Sequence, residues 1–354
     1  MTRQAGQKEF IPWADLIRVA ATFLVITVHV SGQITNLWEK VPESDWFIAN
    51  IYGGIARICV PLFFMISGYL LLPRVESLGT FYRKRMPKVV IPFLVWSLIY
   101  LGWYCGNHPG TCTPSLVRNL LFVQGTYYHL WFMYSLIGIY LILPVLRLLV
   151  KPEVDRKILW YLIVLWLVFQ SVLNFAKYFG GFRIGISAPL ASGLVGFFIL
   201  GYLLGPWRLS RRTAMLTGAA WLLATLVTIL GTYFLTQASG KFENYFYGFT
   251  TPNVIVASAT GFLLLKWISE TRDIGSSNHH RFMRQLAAAS FGIYLVHVLV
   301  IEVLQGWIPG IHLDSFIGNP VWSIPLVCLI VFAISFGIVR LLQAIPVLNR
   351  IVSS

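Results

Sequence analysis

Charged residues are scarce in this sequence, and acidic residues are the scarcest. Asp, Glu, Lys and Arg make up 11% of the 354 residues, and only 13 of these are acidic. Soluble globular domains carry about 25% charged residues, so the scarcity excludes an ordinary soluble domain. With 57% hydrophobic residues and a mean hydropathy of +0.73, the composition indicates an integral membrane protein.

Several sequence signatures are also missing. The chain has no zinc-finger, P-loop or dinucleotide fingerprint, no repeat of 20–50 residues, and no signal-peptide cleavage site after its first apolar run. The net charge of +14 does not by itself indicate nucleic-acid binding, because in a membrane protein the distribution of charge among the loops matters more. We therefore expect one transmembrane domain over residues 1–354, without an appended soluble domain, a metal or a nucleic-acid partner.

Apolar runs long enough to cross a membrane, at about 20 residues each, occur ten times. They cover Trp13–Thr35, Phe47–Leu72, Lys88–Cys105, Leu130–Leu149, Ile158–Phe175, Pro189–Leu204, Ala214–Gln237, Pro252–Ile268, Leu286–Trp307 and Val321–Ile345. The sequence therefore predicts an all-α fold of about ten transmembrane helices.

The basic residues are distributed unevenly among the segments that connect these runs. Of the 27 Lys and Arg residues, 21 fall in the two terminal segments and in alternate loops. These segments share one side if every run crosses the membrane. Because cytoplasmic loops carry the excess of Lys and Arg, we expect both termini in the cytoplasm.

Cysteine is rare, and two of the four cysteines lie close together. Cys105 and Cys112 share a loop on the outward side, where an oxidising compartment would favour a disulfide. Cys59 and Cys328 lie within apolar runs and are expected to be packing thiols.

Asp15, Arg18 and His29 lie on one face of the first predicted helix. His29 follows Arg18 by eleven positions, which leaves an angular offset of about 20° and an axial distance of roughly 16 Å. Ionisable residues at membrane depth are costly and typically line a cavity or pathway. In the alternative interpretation, Arg18 extends to lipid headgroups and His29 hydrogen-bonds a neighbouring helix.

Two interpretations are open for the polar residues of the fourth predicted helix. His129 and Trp131 begin it on the outer side, where an aromatic ring either stacks on a sugar or belongs to the interfacial aromatic belt. Tyr140 lies deeper, and is either a further acceptor-side residue or part of the core.

Four other intramembrane residues carry alternatives of the same kind. For Arg57 and Glu302 we expect structural pairing, with each other or elsewhere. His297 is either a core histidine or a catalytic one. Ser67, next to Gly68, is either a nucleophile that carries an acyl group or a small residue at a helix contact.

Five blocks of sequence resemble, in order, those of the membrane acyltransferase family 3. The first is Arg18 and His29 with Asp15 before them, and the others are Val60–Tyr69, Tyr128–Phe132 (with Tyr140 and Pro144 downstream), Gly201–Gly205 and Phe291–His297. Within the family, the second and third blocks look most similar to the branch of the enterobacterial common antigen O-acetyltransferase.

The resemblance implies an enzyme of the bacterial inner membrane with no bound cofactor. Such an enzyme takes an acyl group, usually acetyl, from cytoplasmic acyl-CoA and delivers it to a hydroxyl of a cell-envelope glycan or lipid-linked saccharide. His29 is expected to be the general base, a task that suits imidazole. Arg18 and Asp15 complete the expected catalytic set at the donor end, where Arg18 either pairs with Asp15 or holds a phosphate of CoA.

The basic stretch after the second predicted helix is expected to bind the phosphates of acyl-CoA. It comprises Arg83, Lys84, Arg85 and Lys88, although ordinary membrane topology explains each of them singly. Where the family often has Arg-x-x-Arg, this chain has Arg85 and Lys88, and lysine lacks the bidentate fork of arginine.

A transporter or flippase for a glycan or lipid intermediate is the main alternative, because polar stripes also mark substrate pathways.

Overall fold

The computed structural model describes residues 11–108, 110, 112–120, 125–186, 193–271, 277–307 and 312–353, with only the backbone at 277–279 and 307. These residues form a bundle of α-helices. The helices are α1 (Pro12–Thr35), α2 (Glu43–Ala56), α3 (Cys59–Leu71), α4 (Leu78–Asn107), α5 (Pro114–Asn119), α6 (Trp131–Leu148), α7 (Lys157–Leu167), α8 (Leu173–Gly180), α9 (Val195–Leu204), α10 (Arg211–Ser239), α11 (Pro252–Thr271), α12 (Ser277–Glu302), α13 (Pro320–Ala344) and α14 (Pro346–Asn349).

The prediction of an all-α protein that crosses a membrane many times is confirmed. Among the described residues, nine helical segments are long and apolar enough to cross, with α2 and α3 forming one segment and α7 and α8 another. The difference from ten lies in the sixth predicted run. Its described helix, α9, has ten residues and a length of about 15 Å, and residues 187–192 lie outside the described part.

The second predicted helix is broken in its middle. α2 ends at Ala56 and α3 begins at Cys59, so Arg57 lies in the break. In a continuous helix the carbonyl of Arg57 would accept a hydrogen bond from residue 61, but Pro61 has no backbone N–H. The proline thus opens the backbone at the arginine.

α4 starts ten residues earlier than the sequence predicted. The hydroxyl of Ser77 accepts a hydrogen bond from the backbone N–H of Thr80 and caps the new start. The basic residues that resembled a loop therefore occupy the first turns of a 30-residue helix, and Pro87 and Pro92 lie inside it. At the other end of α4, Cys105 and Cys112 form a disulfide with their Cα atoms 5.6 Å apart.

α1 is the central helix, since α2, α3, α11, α12 and α13 all pack against it. It runs in the same direction as α12, because Asp15 lies near Arg284 at one end and His29 lies against His297 at the other. We call the end of the bundle that holds Asp15 and Arg284 the basic end, and the opposite end the histidine end.

Candidate active site

Three histidines from distant parts of the chain meet at the histidine end. The ring centroid of His297, on α12, lies 5.2 Å from that of His29, on α1. The ring centroid of His129, in the segment before α6, lies 5.5 Å from that of His297. We refer to His29, His129 and His297 as the histidine cluster. It gives His29 a neighbour from another helix, His297 on α12.

The orientation of His297 follows from its hydrogen bonds. Its Nδ1 lies 2.7 Å from the carbonyl oxygen of Tyr294, which can only accept, so Nδ1 carries the proton. Its Nε2 is then an acceptor, and it is buried without a hydrogen bond from any described residue. His297 thus presents an unsatisfied lone pair inside the cluster.

The hydroxyl of Tyr100 holds the backbone of α12 around His297. It donates to the carbonyl of Leu295 at 2.8 Å and accepts from the N–H of Leu299 at 3.2 Å. These two groups bond to each other in an undistorted helix, so Tyr100 is inserted into the ladder of α12. The ring of Tyr100 also packs against His129 at 4.8 Å.

His129 is fixed through its backbone and its ring contacts. Its carbonyl accepts a 2.7 Å hydrogen bond from the hydroxyl of Tyr294. The side chain is buried, and neither ring nitrogen has a hydrogen-bond partner in the described part of the chain. Tyr128, which is largely exposed, packs against His29 with ring centroids 5.2 Å apart.

A small cavity opens beside His29 and His129. Its volume is about 30 Å³, enough for one or two water molecules. The lining residues are Val25, His29, Val60, Phe63, His129, Trp131, Phe132 and Tyr294. The polar part of the cavity wall is therefore formed mainly by His29, His129 and Tyr294, and most of the remaining wall is apolar.

Trp131 reaches this cavity from the start of α6. Its side chain is 37% exposed, and its ring packs on Phe249 with centroids 5.5 Å apart. It therefore lines the cavity while part of its side chain stays exposed, a position that suits an aromatic contact with a sugar.

Glu302 is held by neutral hydrogen-bond donors. Its two carboxylate oxygens accept from the hydroxyl of Tyr127 at 2.5 Å and from the indole N–H of Trp103 at 2.6 Å. These bonds join the ends of α12 and α4 to the segment before α6. The sequence left open whether Glu302 pairs with Arg57 or with another residue. In the structure it pairs with a tyrosine and a tryptophan.

Arg57 lies over an aromatic ring. Its guanidinium carbon is 3.9 Å from the ring centroid of Tyr247. Its Nε is buried without a hydrogen bond, and no carboxylate among the described residues lies within ion-pair distance of it.

At the basic end, Asp15 and Arg18 form an ion pair of 2.8 Å within the first turns of α1. The side chain of Arg18 remains 34% exposed, so part of its guanidinium is free to meet a ligand. Thr22 bonds back to the carbonyl of Arg18 at 2.8 Å. The polar stripe predicted on α1 therefore exists, with an ion pair at one end and the histidine cluster at the other.

Glu76 organises the rest of the basic end. It accepts hydrogen bonds of 2.8 Å from both Arg85 and Arg147, and Arg147 also donates to the carbonyl of Leu71. Burial raises the pKa of Glu76, but the hydrogen bonds and charges of the two arginines outweigh it and hold the pKa below its ordinary value. Arg85 is thus partly committed to a structural pair.

The other basic residues predicted to bind phosphate differ from Arg85. Arg83, Lys84 and Lys88 are exposed on α4. They lie on the first turns of the helix that also carries Tyr100 and Trp103 at its opposite end.

Tyr140 lies elsewhere than the sequence analysis placed it. We grouped it with His129 and Trp131 on the acceptor side, but its ring packs on Phe81 at 6.0 Å near the start of α4. It is within electrostatic range of four arginines of the basic end, which are Arg18, Arg74, Arg85 and Arg147. The correction follows from direction, because α6 runs from the histidine end toward Arg147, and nine residues carry the chain about 13 Å inward.

Ser67 is half-buried on α3 and does not line the cavity beside His29. It lies seven residues, or about 10 Å, from Val60, which does. It precedes Gly68, where α3 meets α9.

Several residues of the site were missed by the sequence analysis. Tyr294 and Tyr128 stand inside blocks that we compared with the family, next to the histidines they support. Glu76 had a visible signal, as a lone acidic residue beside a basic stretch. Tyr100 had none, because its task depends on the packing of α4 against α12.

Comparison with known families decides the class of protein. A family model described as an acyltransferase domain matches residues 11–340. The chain belongs to acyltransferase family 3. The match covers most of the chain, and the nine apolar helical segments among the described residues agree with a membrane domain that crosses many times. This assignment favours an enzyme over the transporter or flippase that the sequence left as an alternative.

Curated relatives match only part of the chain. Two amino-acid racemases of Enterococcus faecalis are 29% identical over 131 residues (35% of this chain, 17% of the relative) and 33% identical over 147 residues (38% and 19%). A serine/alanine racemase of Enterococcus gallinarum is 28% identical over 163 residues (44% and 22%). The chain thus spans about a fifth of the length of these relatives. No solved structure gives a significant match.

Proposed function

We propose that this acyltransferase moves an acyl group, in particular acetyl, from cytoplasmic acyl-CoA to a hydroxyl of a cell-envelope glycan or lipid-linked saccharide. The observation that carries the proposal is the arrangement along α1. Arg18 lies at the basic end, and His29 lies about 16 Å farther along, in a histidine cluster that faces a small cavity. One helix thus joins a cationic end to a basic imidazole.

His29 acts as the general base in this proposal. It removes the proton from the acceptor hydroxyl while the hydroxyl oxygen bonds to the acyl carbon. The carbon–sulfur bond of the thioester then breaks, and the proton passes from His29 to the leaving sulfur of CoA. General-base catalysis of this kind contributes about 10²- to 10⁴-fold to the rate.

His297 is proposed as the positioning residue for His29. Its Nδ1 donates to the carbonyl of Tyr294, so the lone pair on Nε2 has no partner among the described residues and is left to accept the N–H of His29 once the acceptor is bound. That bond fixes one tautomer of His29 and leaves its other nitrogen to take the proton.

The two substrates are assigned to the two ends. At the basic end, Arg18, Arg83, Lys84 and Lys88 contact the phosphates of acyl-CoA, and Arg85 contributes while bound to Glu76. At the histidine end, Trp131 and His129 lie beside the acceptor sugar.

The proposed location in the cell follows from the resemblance of two sequence blocks to the enterobacterial common antigen O-acetyltransferase branch. The protein is proposed to lie in the bacterial inner membrane, with both termini in the cytoplasm. Basic residues are concentrated in the segments expected on that side, in agreement with this orientation.

The test uses purified protein in proteoliposomes with radiolabelled acetyl-CoA and an extract of envelope glycans. Wild-type protein is expected to form an alkali-labile ester on the glycan. His29→Ala is expected to insert and fold normally but to form no ester above background. His280→Ala, a histidine substitution on α12 outside the cluster, is the matched control and should retain activity.

The opposite outcomes are informative. Ester formation by His29→Ala at the wild-type rate would remove the general-base role. If wild-type protein formed no ester while glycan crossed the vesicle membrane in a protein-dependent manner, a transport function would replace the acyltransfer proposal for this substrate.

A further inference from the structure

Arg57 is an intramembrane cation that the steps above leave without a task. It lies in the break between α2 and α3, about 21 Å along the chain from the start of α2. The break lies here because Pro61 cannot donate the backbone hydrogen bond that would continue the helix through Arg57. Charges inside a membrane bundle are costly and mark functional positions.

The guanidinium of Arg57 is held on a rigid support. It lies 3.9 Å above the ring of Tyr247, and the hydroxyl of Tyr247 donates to Asn50 Oδ1 at 2.6 Å. The amide of Asn50 in turn donates to the carbonyl of Ile229 at 2.9 Å. Tyr247 and Asn50 are both buried. The hydroxyl of Tyr247 and the amide of Asn50 therefore have hydrogen-bond partners. They hold the ring of Tyr247, and with it the guanidinium of Arg57, in a defined position.

The cation itself lacks a counter-charge among the described residues. The buried Nε of Arg57 has no hydrogen bond. Glu302, which the sequence offered as a possible ion-pair partner, accepts hydrogen bonds from Tyr127 and Trp103 instead. A buried charge without a partner is strongly destabilising. An arginine in this state is suited to receive an anion that arrives with the substrate or forms during the reaction.

Arg57 also lies close along the chain to a residue of the cavity wall and within electrostatic range of His29. Val60, one helical turn further along the chain, lines the same cavity as His29. α2 and α3 both pack on α1, and Arg57 is within electrostatic range of His29.

We propose that Arg57 binds the negatively charged oxygen that forms on the acyl carbonyl during transfer. This inference rests on the proposed acyl transfer by His29. When the acceptor oxygen bonds to the acyl carbon, the carbonyl electron pair moves to the carbonyl oxygen, which becomes an oxyanion. Arg57 donates to that oxygen, and the charge returns to the carbonyl bond as the carbon–sulfur bond breaks. A pre-organised donor of this kind stabilises the transition state more than the ground state.

The experiment compares Arg57→Met and Arg57→Lys with wild type in proteoliposomes supplied with acetyl-CoA. The acceptors are the envelope glycan extract, neutral methyl glucoside and anionic methyl glucuronide. Arg57→Met is expected to lower kcat by about 100-fold for every acceptor that wild type uses. The KM for acetyl-CoA should change by less than about twofold, because a transition-state contact does not contribute to ground-state binding. Arg118→Met, an arginine substitution outside the site, should leave both constants unchanged.

Arg57→Lys keeps a cation at this depth and guards against a folding defect in Arg57→Met. It is expected to melt within a few degrees of wild type and to lose at least about tenfold in kcat, since lysine lacks the planar fork. The proposal is overturned if folded Arg57→Lys keeps the wild-type kcat. It is also overturned if the defect appears only as a higher KM for methyl glucuronide or an anionic glycan, which would assign Arg57 to a fixed charge on the acceptor. Absence of acetyl transfer by wild type itself would instead contradict the proposed function.

Discussion

At the scale of single residues, the site depends on which nitrogen of each imidazole carries a proton. The carbonyl of Tyr294 places the proton of His297 on Nδ1 and leaves Nε2 as an acceptor. Replacing His297 by Phe keeps a ring of similar size but removes the acceptor. We expect His297→Phe to lower kcat for acetyl transfer by about 10- to 100-fold, with an unchanged KM for acetyl-CoA.

The conservative variant separates positioning from packing. His297→Gln retains an acceptor oxygen near the position of Nε2, so it should recover part of the lost kcat while its melting temperature is no higher than that of His297→Phe. Equal kcat values for the two variants would contradict the positioning role and leave His297 as a packing residue.

The sequence could predict site residues that are close together along the chain, but not those that distant segments bring together. Asp15, Arg18 and His29 were predictable as one stripe, because helical periodicity is a local property. The neighbours of His29 were not, since 268 residues separate His29 from His297 and only the packing of α1 on α12 joins them. The environment of Tyr140 was misassigned for the same reason, because its neighbours come from α1 and α4.

At the scale of elements, the crossing of α3 and α9 depends on glycine. A Cβ atom on Gly68 would lie 1.7 Å from the carbonyl oxygen of Phe198, and one on Gly201 would lie 2.0 Å from that of Met65. Both obstacles are backbone atoms, which cannot rotate away. Small residues commonly allow such close approach between helices in membranes.

We therefore expect Gly201→Ala to destabilise the protein by about 1–3 kcal/mol or more, measured as a lower melting temperature in detergent. The matched control is Gly138→Ala on α6, where a Cβ meets no atom within 4 Å. That variant should be neutral or slightly stabilising. A wild-type melting temperature for Gly201→Ala would show that α3 and α9 separate more easily than this crossing suggests.

Glu76 joins the α3–α4 connection to the end of α6 and makes that junction sensitive to acid. Its pKa in the folded protein lies below the ordinary value of 4.5, so the carboxylate contributes stability that is complete above the unfolded pKa. This contribution is lost as the pH falls through the lower folded pKa. Glu76→Gln should be less stable than wild type at neutral pH, and the difference between the two should shrink between about pH 6 and pH 3.

Chemical unfolding in detergent across this range measures the effect. Arg85 and Arg147 lose a shared carboxylate in the variant, so part of the deficit at neutral pH comes from the two arginines. A stability difference that stays constant with pH would show that the protonation of Glu76 is not coupled to folding.

The boundaries of elements were less predictable than their presence. Hydropathy located the apolar runs, but it did not show the break at Arg57, which depends on a hydrogen bond that Pro61 cannot make. It also began the third run only at Lys88, because the charges of Arg83, Lys84 and Arg85 resemble a loop. In the structure, a helix that extends beyond its apolar run carries these residues.

At the scale of the whole molecule, the charge distribution and the disulfide together predict one orientation. The basic residues lie mostly in the terminal segments and alternate loops, whereas Cys105 and Cys112 are joined at the opposite end of α4 from Arg85. A disulfide persists in an oxidising compartment, and basic loops remain in the cytoplasm, so both features favour the same direction of insertion.

Spheroplasts treated with a membrane-impermeant maleimide provide the measurement. Cys105 and Cys112 should be labelled from outside only after reduction, and Cys59 and Cys328, which are buried, should stay unlabelled. A cysteine introduced at the exposed residue Lys151 should be labelled only after the membrane is permeabilised. Labelling of the Lys151→Cys variant in intact spheroplasts would reverse the orientation, and with it the assignment of the basic end to cytoplasmic acyl-CoA.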